Sequence, residues 1–153
     1  MEDKKKEGRY SRIYKQLSEL VLKSSSTSAR MATVIAVLHH KMDYFFWTGF
    51  YLLENGKMTV NIYQGSVACQ ILEKDKGVCW AAFNKKETVV VEDVHLFPGH
   101  IACDTRSNSE IVVPFKNPEG KLLGVLDVDS KDKASFSDVD AKWLEKILTL
   151  IWA

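Results

Sequence analysis

A chain of 153 residues, 46% hydrophobic and 27% charged, has the make-up of one ordinary globular domain, which buries roughly 70% of the surface its unfolded chain exposes. A formal net charge of +1 leaves no electrostatic footprint for nucleic acid, and no apolar run is long enough to cross a bilayer. Met1 is followed by Glu2, Asp3 and three lysines rather than by a basic start and an apolar stretch, so no secretory signal is read and a cytoplasmic location is expected.

Lys4 to Lys6 read as a solvated tail. From Arg9 to Lys23, Tyr10, Ile13, Tyr14, Leu17, Leu20 and Val21 recur at three- and four-residue steps, which predicts an amphipathic helix. Ser24 to Ser28 supply a break and a cap, and Met31, Val34, Ile35, Leu38 and His39 give a second helix closing near Lys41, where His39 and His40 suit a helix C-terminus as cations. Tyr44 to Leu53 and Met58 to Tyr63 are β-prone around the turn chemistry of Glu54-Asn55-Gly56-Lys57, so they predict a hairpin. Gly77 to Lys86 reads as a short helix, Thr88 to Val91 as a short strand, and Asp93 to Asn108 as a long irregular loop of the kind that is usually functional. Glu110 to Phe115 and Lys121 to Asp129 form a second hairpin about Asn117-Pro118-Glu119-Gly120, and Ser137 or Asp138 caps a closing helix through Trp143, Leu144, Ile147, Leu148 and Ile151. This order predicts an α+β fold with a mostly antiparallel sheet.

Three cysteines, an odd number, argue against a structural disulfide framework and leave burial or chemistry as their purpose. Cys103 sits in the long loop between His100 and Arg106, either of which could supply the positive charge a reactive thiolate needs; as a free cysteine it suits inert burial equally well. Asp104 beside it would oppose thiolate formation unless it points away and ties the loop to backbone. Cys69 follows the second strand. Cys79 opens a helix, whose N-terminus would lower its pKa, although it also fits as packing beside Val78 and Trp80.

Asp127 and Asp129 share one strand face while Leu122, Leu126 and Val128 take the other. Set against Glu110, they would raise one another's pKa; the plain alternative is that they end the strand and face water. Trp47, Gly49 and Tyr51 likewise share a face, with an apolar slot at Gly49 or simple core packing as the two readings. A zinc set of Cys79, His95, His100 and Cys103 lacks ligand spacing, and no nucleotide or phosphate motif is present, so neither metal nor cofactor is expected.

Trp47-Thr48-Gly49-Phe50-Tyr51-Leu52-Leu53, Tyr63-Gln64-Gly65, Ala68-Cys69, Gly77-Val78-Cys79, Glu92-Asp93-Val94-His95, Phe97-Pro98-Gly99-His100-Ile101-Ala102-Cys103-Asp104, Ser107-Asn108-Ser109-Glu110 and Gly124-Val125-Leu126-Asp127-Val128-Asp129-Ser130 together resemble the free methionine-(R)-sulfoxide reductase family, built on a GAF domain. The resemblance implies a single GAF domain over 1–153, with a helical segment at about 9–42, sheet and active-site loops at about 44–130 and a closing helix at about 137–152. It implies that Cys103 attacks the sulfoxide sulfur and that Cys69 resolves the resulting sulfenic acid, with Cys79 as the alternate or auxiliary thiol. It further implies that Glu110, Asp127 and Asp129 hold the substrate ammonium and offer a proton to the oxide, and that Trp47 and Tyr51 pack on the S-methyl group. The partners implied are free methionine-(R)-sulfoxide and a thioredoxin-type reductant, and GAF pairing through terminal helices allows a homodimer. Trp80 departs from the family pattern, which has glycine after the cysteine matching Cys79. The competing reading is a non-catalytic GAF module that senses a small ligand.

Overall fold

The computed structural model describes residues 1–100 and 103–153; Ile101 and Ala102 of the Cys103 run lie outside the described residues. Helix α1 (Asp3–Leu20) runs into a 3-10 turn and is followed by α2 (Thr27–Lys41), for which Ser26 is the N-cap, its hydroxyl accepting from the Ala29 N–H at 3.3 Å. Strands β1 (Trp47–Glu54) and β2 (Lys57–Gln64) turn through Asn55 and Gly56, both at positive φ, as a tight hairpin with a right-handed twist requires. Then come β3 (Ile71–Leu72), α3 (Gly77–Lys85), β4 (Val89–Val91), β5 (Ser109–Lys116), β6 (Leu122–Ser130) and α4 (Asp138–Thr149). The strands form one antiparallel sheet in the order β3-β2-β1-β6-β5-β4. The two-residue β3 carries too little periodicity to be read from sequence.

Side-chain alternation splits the molecule into two layers about this sheet. Phe50, Ile111, Val113, Phe115, Leu126 and Val128 face α1, α2 and α4 and close the larger core. Tyr51, Val112 and Val125 face the other way, where Val78, Trp80 and Ala82 of α3 and Val94 of the long loop cover them. Trp80 is buried there and its indole N–H donates to the Leu72 carbonyl, so its ring is ordinary core. Among the described residues no helix is long and apolar enough to cross a membrane.

Two expectations at the helical layer are corrected. Lys6 is not part of a solvated tail: α1 begins at Asp3, and Lys6 is 2% exposed with its ammonium 2.5 Å from Asp140. The Asp140 carboxylate also accepts from Tyr10 and Tyr44 hydroxyls and from the Ser137 N–H, the last closing a capping box at the start of α4. Nor is His39 a cation at a helix end. It is half-buried with Nδ1 3.0 Å from Thr48 Oγ1, and burial lowers its pKa.

The Asp140 clasp ties α1 to α4 through a charge withdrawn from water, a geometry in which losing one partner strands the other. Asp140→Ala is therefore expected to cost about 3 kcal/mol or more. Urea unfolding should show a lower midpoint at unchanged slope; a loss below about 1 kcal/mol, typical of an exposed pair, would show that the clasp contributes little.

Candidate active site

The site lies on the α3 side of the sheet, where three strands contribute one layer of side chains. On β6, Asp127 and Asp129 point opposite to Leu126 and Val128. Register sets Asp129 between Glu110 of β5 and Trp47 of β1, with Asp127 opposite Gly49 and Val112. Asp127 and Glu110 are 5% and 6% exposed, so they do not end a strand in water. From the first turn of α3, Cys79 reaches down onto them. Its sulfur and one oxygen from each of Glu110 and Asp127 all lie within 4.8 Å of one another.

Burial raises the pKa of all three carboxyls, and well above the ordinary range for Glu110 and Asp129, on which the charge of Asp127 acts as well. Hydrogen bonds from Glu110 and Cys79 partly offset burial at Asp127. The expected lowering of the Cys79 pKa by its helix is reversed. A helix end contributes about 0.3–1 kcal/mol, whereas burial and then the Asp127 and Glu110 charges push this thiol well up. Cys79 is a buried free thiol.

Cys103 and Cys69 are joined by a disulfide, with Cα atoms 5.5 Å apart and a sequence separation of 34. Of the two cations assigned to Cys103, Arg106 is engaged elsewhere. The Arg106 guanidinium is held in two hydrogen bonds by Asp104, at 2.7 and 3.0 Å, and lies over the Phe46 ring. This pair, with the Arg106 N–H donating to Asp104 Oδ1 at 2.9 Å, holds the Asp104 carboxyl well below the usual range and ties the loop. His100 lines the same pocket, but burial, then the nearby His95, lowers its pKa. His95 itself is turned to Asp93, 2.8 Å from its Nδ1, so the Cys-His zinc set is not assembled.

Trp47 and Tyr51 do more than wall the pocket. The indole N–H of Trp47 donates to the Ser66 carbonyl at 3.0 Å, and the Tyr51 hydroxyl donates to the Cys69 carbonyl at 3.1 Å. Both therefore hold the loop that carries Cys69. No slot is open at Gly49: the Trp47 ring stacks on Tyr51 and Tyr63, and a Cβ on Gly49 would come within 2.7 Å of it. Gly65, at φ +127°, lets the Cys69 loop lie on the indole, since a Cβ there would meet Trp47 Cδ1 at 2.8 Å.

These groups line one pocket of about 60 Å³ that both Cys103 and Cys79 reach. Among the described residues, the buried side-chain oxygens without a hydrogen-bond partner are Ser66 Oγ and Asp127 Oδ1, both from residues of its lining. Asp127 Oδ1 is thus a buried acceptor that a donor entering the pocket can reach. Ser66 carried no signal in the sequence, being one more loop serine.

Residues 26–153 match the GAF domain family. A free methionine-R-sulfoxide reductase from Escherichia coli (strain K12) is 36% identical over 139 residues, covering 91% of this chain and 84% of that protein. One from Saccharomyces cerevisiae is 47% identical over 108 residues, covering 69% of this chain and 60% of that protein. The X-ray structure of free methionine-R-sulfoxide reductase from Neisseria meningitidis, in complex with its substrate, matches with a TM-score of 0.87 at 37% identity, over 93% of this chain and 85% of that one. With this identity to reductases over most of both chains, on a GAF fold, the chain belongs to the free methionine-R-sulfoxide reductase family.

Proposed function

We propose that this protein reduces free methionine-(R)-sulfoxide to methionine at the expense of a dithiol. The observation that carries the reading is one pocket lined both by a cysteine in a disulfide, Cys103 with Cys69, and by three carboxyls of raised proton affinity. In the reduced enzyme Cys103 attacks the sulfoxide sulfur while the oxide accepts a proton. Methionine leaves and the oxygen remains on Cys103 as a sulfenic acid. The Cys69 thiol then displaces that oxygen as water and forms the disulfide, so two thiols lose two electrons and the sulfoxide gains them.

Glu110, Asp127 and Asp129 bind the substrate ammonium, and a carboxyl that stays protonated near neutral pH supplies the proton. Trp47 and Tyr51 pack on the S-methyl group. The first turn of α3 borders the pocket without a side-chain cap, so its N–H groups suit the substrate carboxylate. Recognition of both backbone charges restricts the reaction to the free amino acid. A thioredoxin-type protein in a reducing compartment, the cytoplasm, returns the disulfide to thiols by exchange.

Incubation of the reduced protein with separate epimers of free methionine sulfoxide and a dithiol should yield methionine from the R form only. Binding without turnover of either epimer would instead favour a ligand-sensing module, and equal turnover of both would remove the role given to the aromatic wall.

A further inference from the structure

We propose that Cys79, Glu110 and Asp127 form a binding site for a thiophilic divalent cation such as Zn²⁺. Their donor atoms come from α3, β5 and β6, so only the fold assembles them, and all lie within 4.8 Å of one another. With metal–ligand bonds of about 2.0–2.3 Å, a tetrahedral site needs donors about 3.3–3.8 Å apart. The cluster reaches that by closing about 1 Å, within the range of side-chain rotation.

The second, independent observation is Asp127 itself, 5% exposed, with Oδ1 lacking a hydrogen-bond partner among the described residues. A buried carboxylate oxygen left in this way costs stability until a cation or donor reaches it. Three protein donors leave a fourth position for water on the pocket side, the form of an open zinc site. Sulfur in the set favours Zn²⁺ or Co²⁺ over Mg²⁺ and Ca²⁺, which prefer oxygen alone. On coordination the Cys79 proton passes to the buffer and no electron moves. Because the same carboxylates hold the substrate ammonium in the reading above, a bound cation excludes the amino acid; that consequence rests on the proposed function, whereas the binding does not.

The test uses the oxidised protein, in which the Cys69–Cys103 disulfide withdraws the other two sulfurs, with Co²⁺ as probe. Saturable uptake of one Co²⁺ per chain with a sulfur-to-cobalt charge-transfer band is expected. Cys79→Ala should remove the band, and Asp127→Asn should weaken uptake by about tenfold or more, each variant's fold being checked by circular dichroism. Should Cys79→Ala fail to fold, Asp127→Asn and calorimetric titration with Zn²⁺ carry the decision. No saturable uptake by the oxidised wild type, or a band that persists in Cys79→Ala, would overturn the proposal. Turnover of the R sulfoxide in metal-free buffer alongside absent uptake would mean that this inference alone has failed.

Discussion

Replacing Cys103 with serine is expected to lower turnover of free methionine-(R)-sulfoxide by about three orders of magnitude or more, whether the reductant is a small dithiol or a protein. A hydroxyl in that loop has no comparable nucleophilicity near neutral pH, and Cys79 is a poor substitute, since burial and the adjacent carboxylates hold its thiol protonated. Cys69→Ser should behave differently. Cys103 would still deliver one methionine per chain and stop as a sulfenic acid, which a small dithiol clears more readily than a protein reductant can. Single-turnover mixing reads the first event, and the mass of one added oxygen on the Cys69→Ser protein reads the second. Near-normal turnover by Cys103→Ser would move the attack to another sulfur, and a single-turnover yield lost equally in both variants would show that Cys69 does more than resolve.

The parts of this molecule that could be read from sequence are those set by local periodicity. The two hairpins, both N-terminal helices, α3 and α4 follow from residue spacing and turn chemistry, and the strand alternation placed Asp127 and Asp129 on one face. Long-range pairing was beyond it. Lys6 finds Asp140 across 134 residues, so a charge that local sequence assigns to water is buried. Arg106 lies three residues from Cys103, yet Asp104 claims its guanidinium, because a bidentate ion pair with a backbone bond outweighs a weaker interaction with a thiolate. Helix-end logic for Cys79 failed for a similar reason: two strands, β5 and β6, set carboxylates beneath it, and no local feature of Gly77-Val78-Cys79 records them.

The carboxyl cluster makes the second large expectation, in which activity and stability move in opposite directions. Glu110→Gln keeps the shape of the side chain but removes an acidic proton, so turnover should fall about 100-fold. Stability should rise near neutral pH. A carboxyl with a higher pKa in the fold than in the unfolded chain makes folding take up protons, so its contribution is complete below the unfolded value near 4 and is lost as pH climbs toward the folded value. Glutamine carries no such proton, and its amide can still donate to Asp127 and Asp129 as the Glu110 carboxyl does. Between pH 5 and 8 the melting temperature of the wild type should therefore decline more steeply than that of Glu110→Gln. Each kcal/mol relieved appears as roughly 2–4 °C in a chain of this size. Parallel declines in the two proteins would show that Glu110 titrates alike in both states, and the proton for the sulfoxide oxygen would then have to come from Asp129, whose pKa burial also raises.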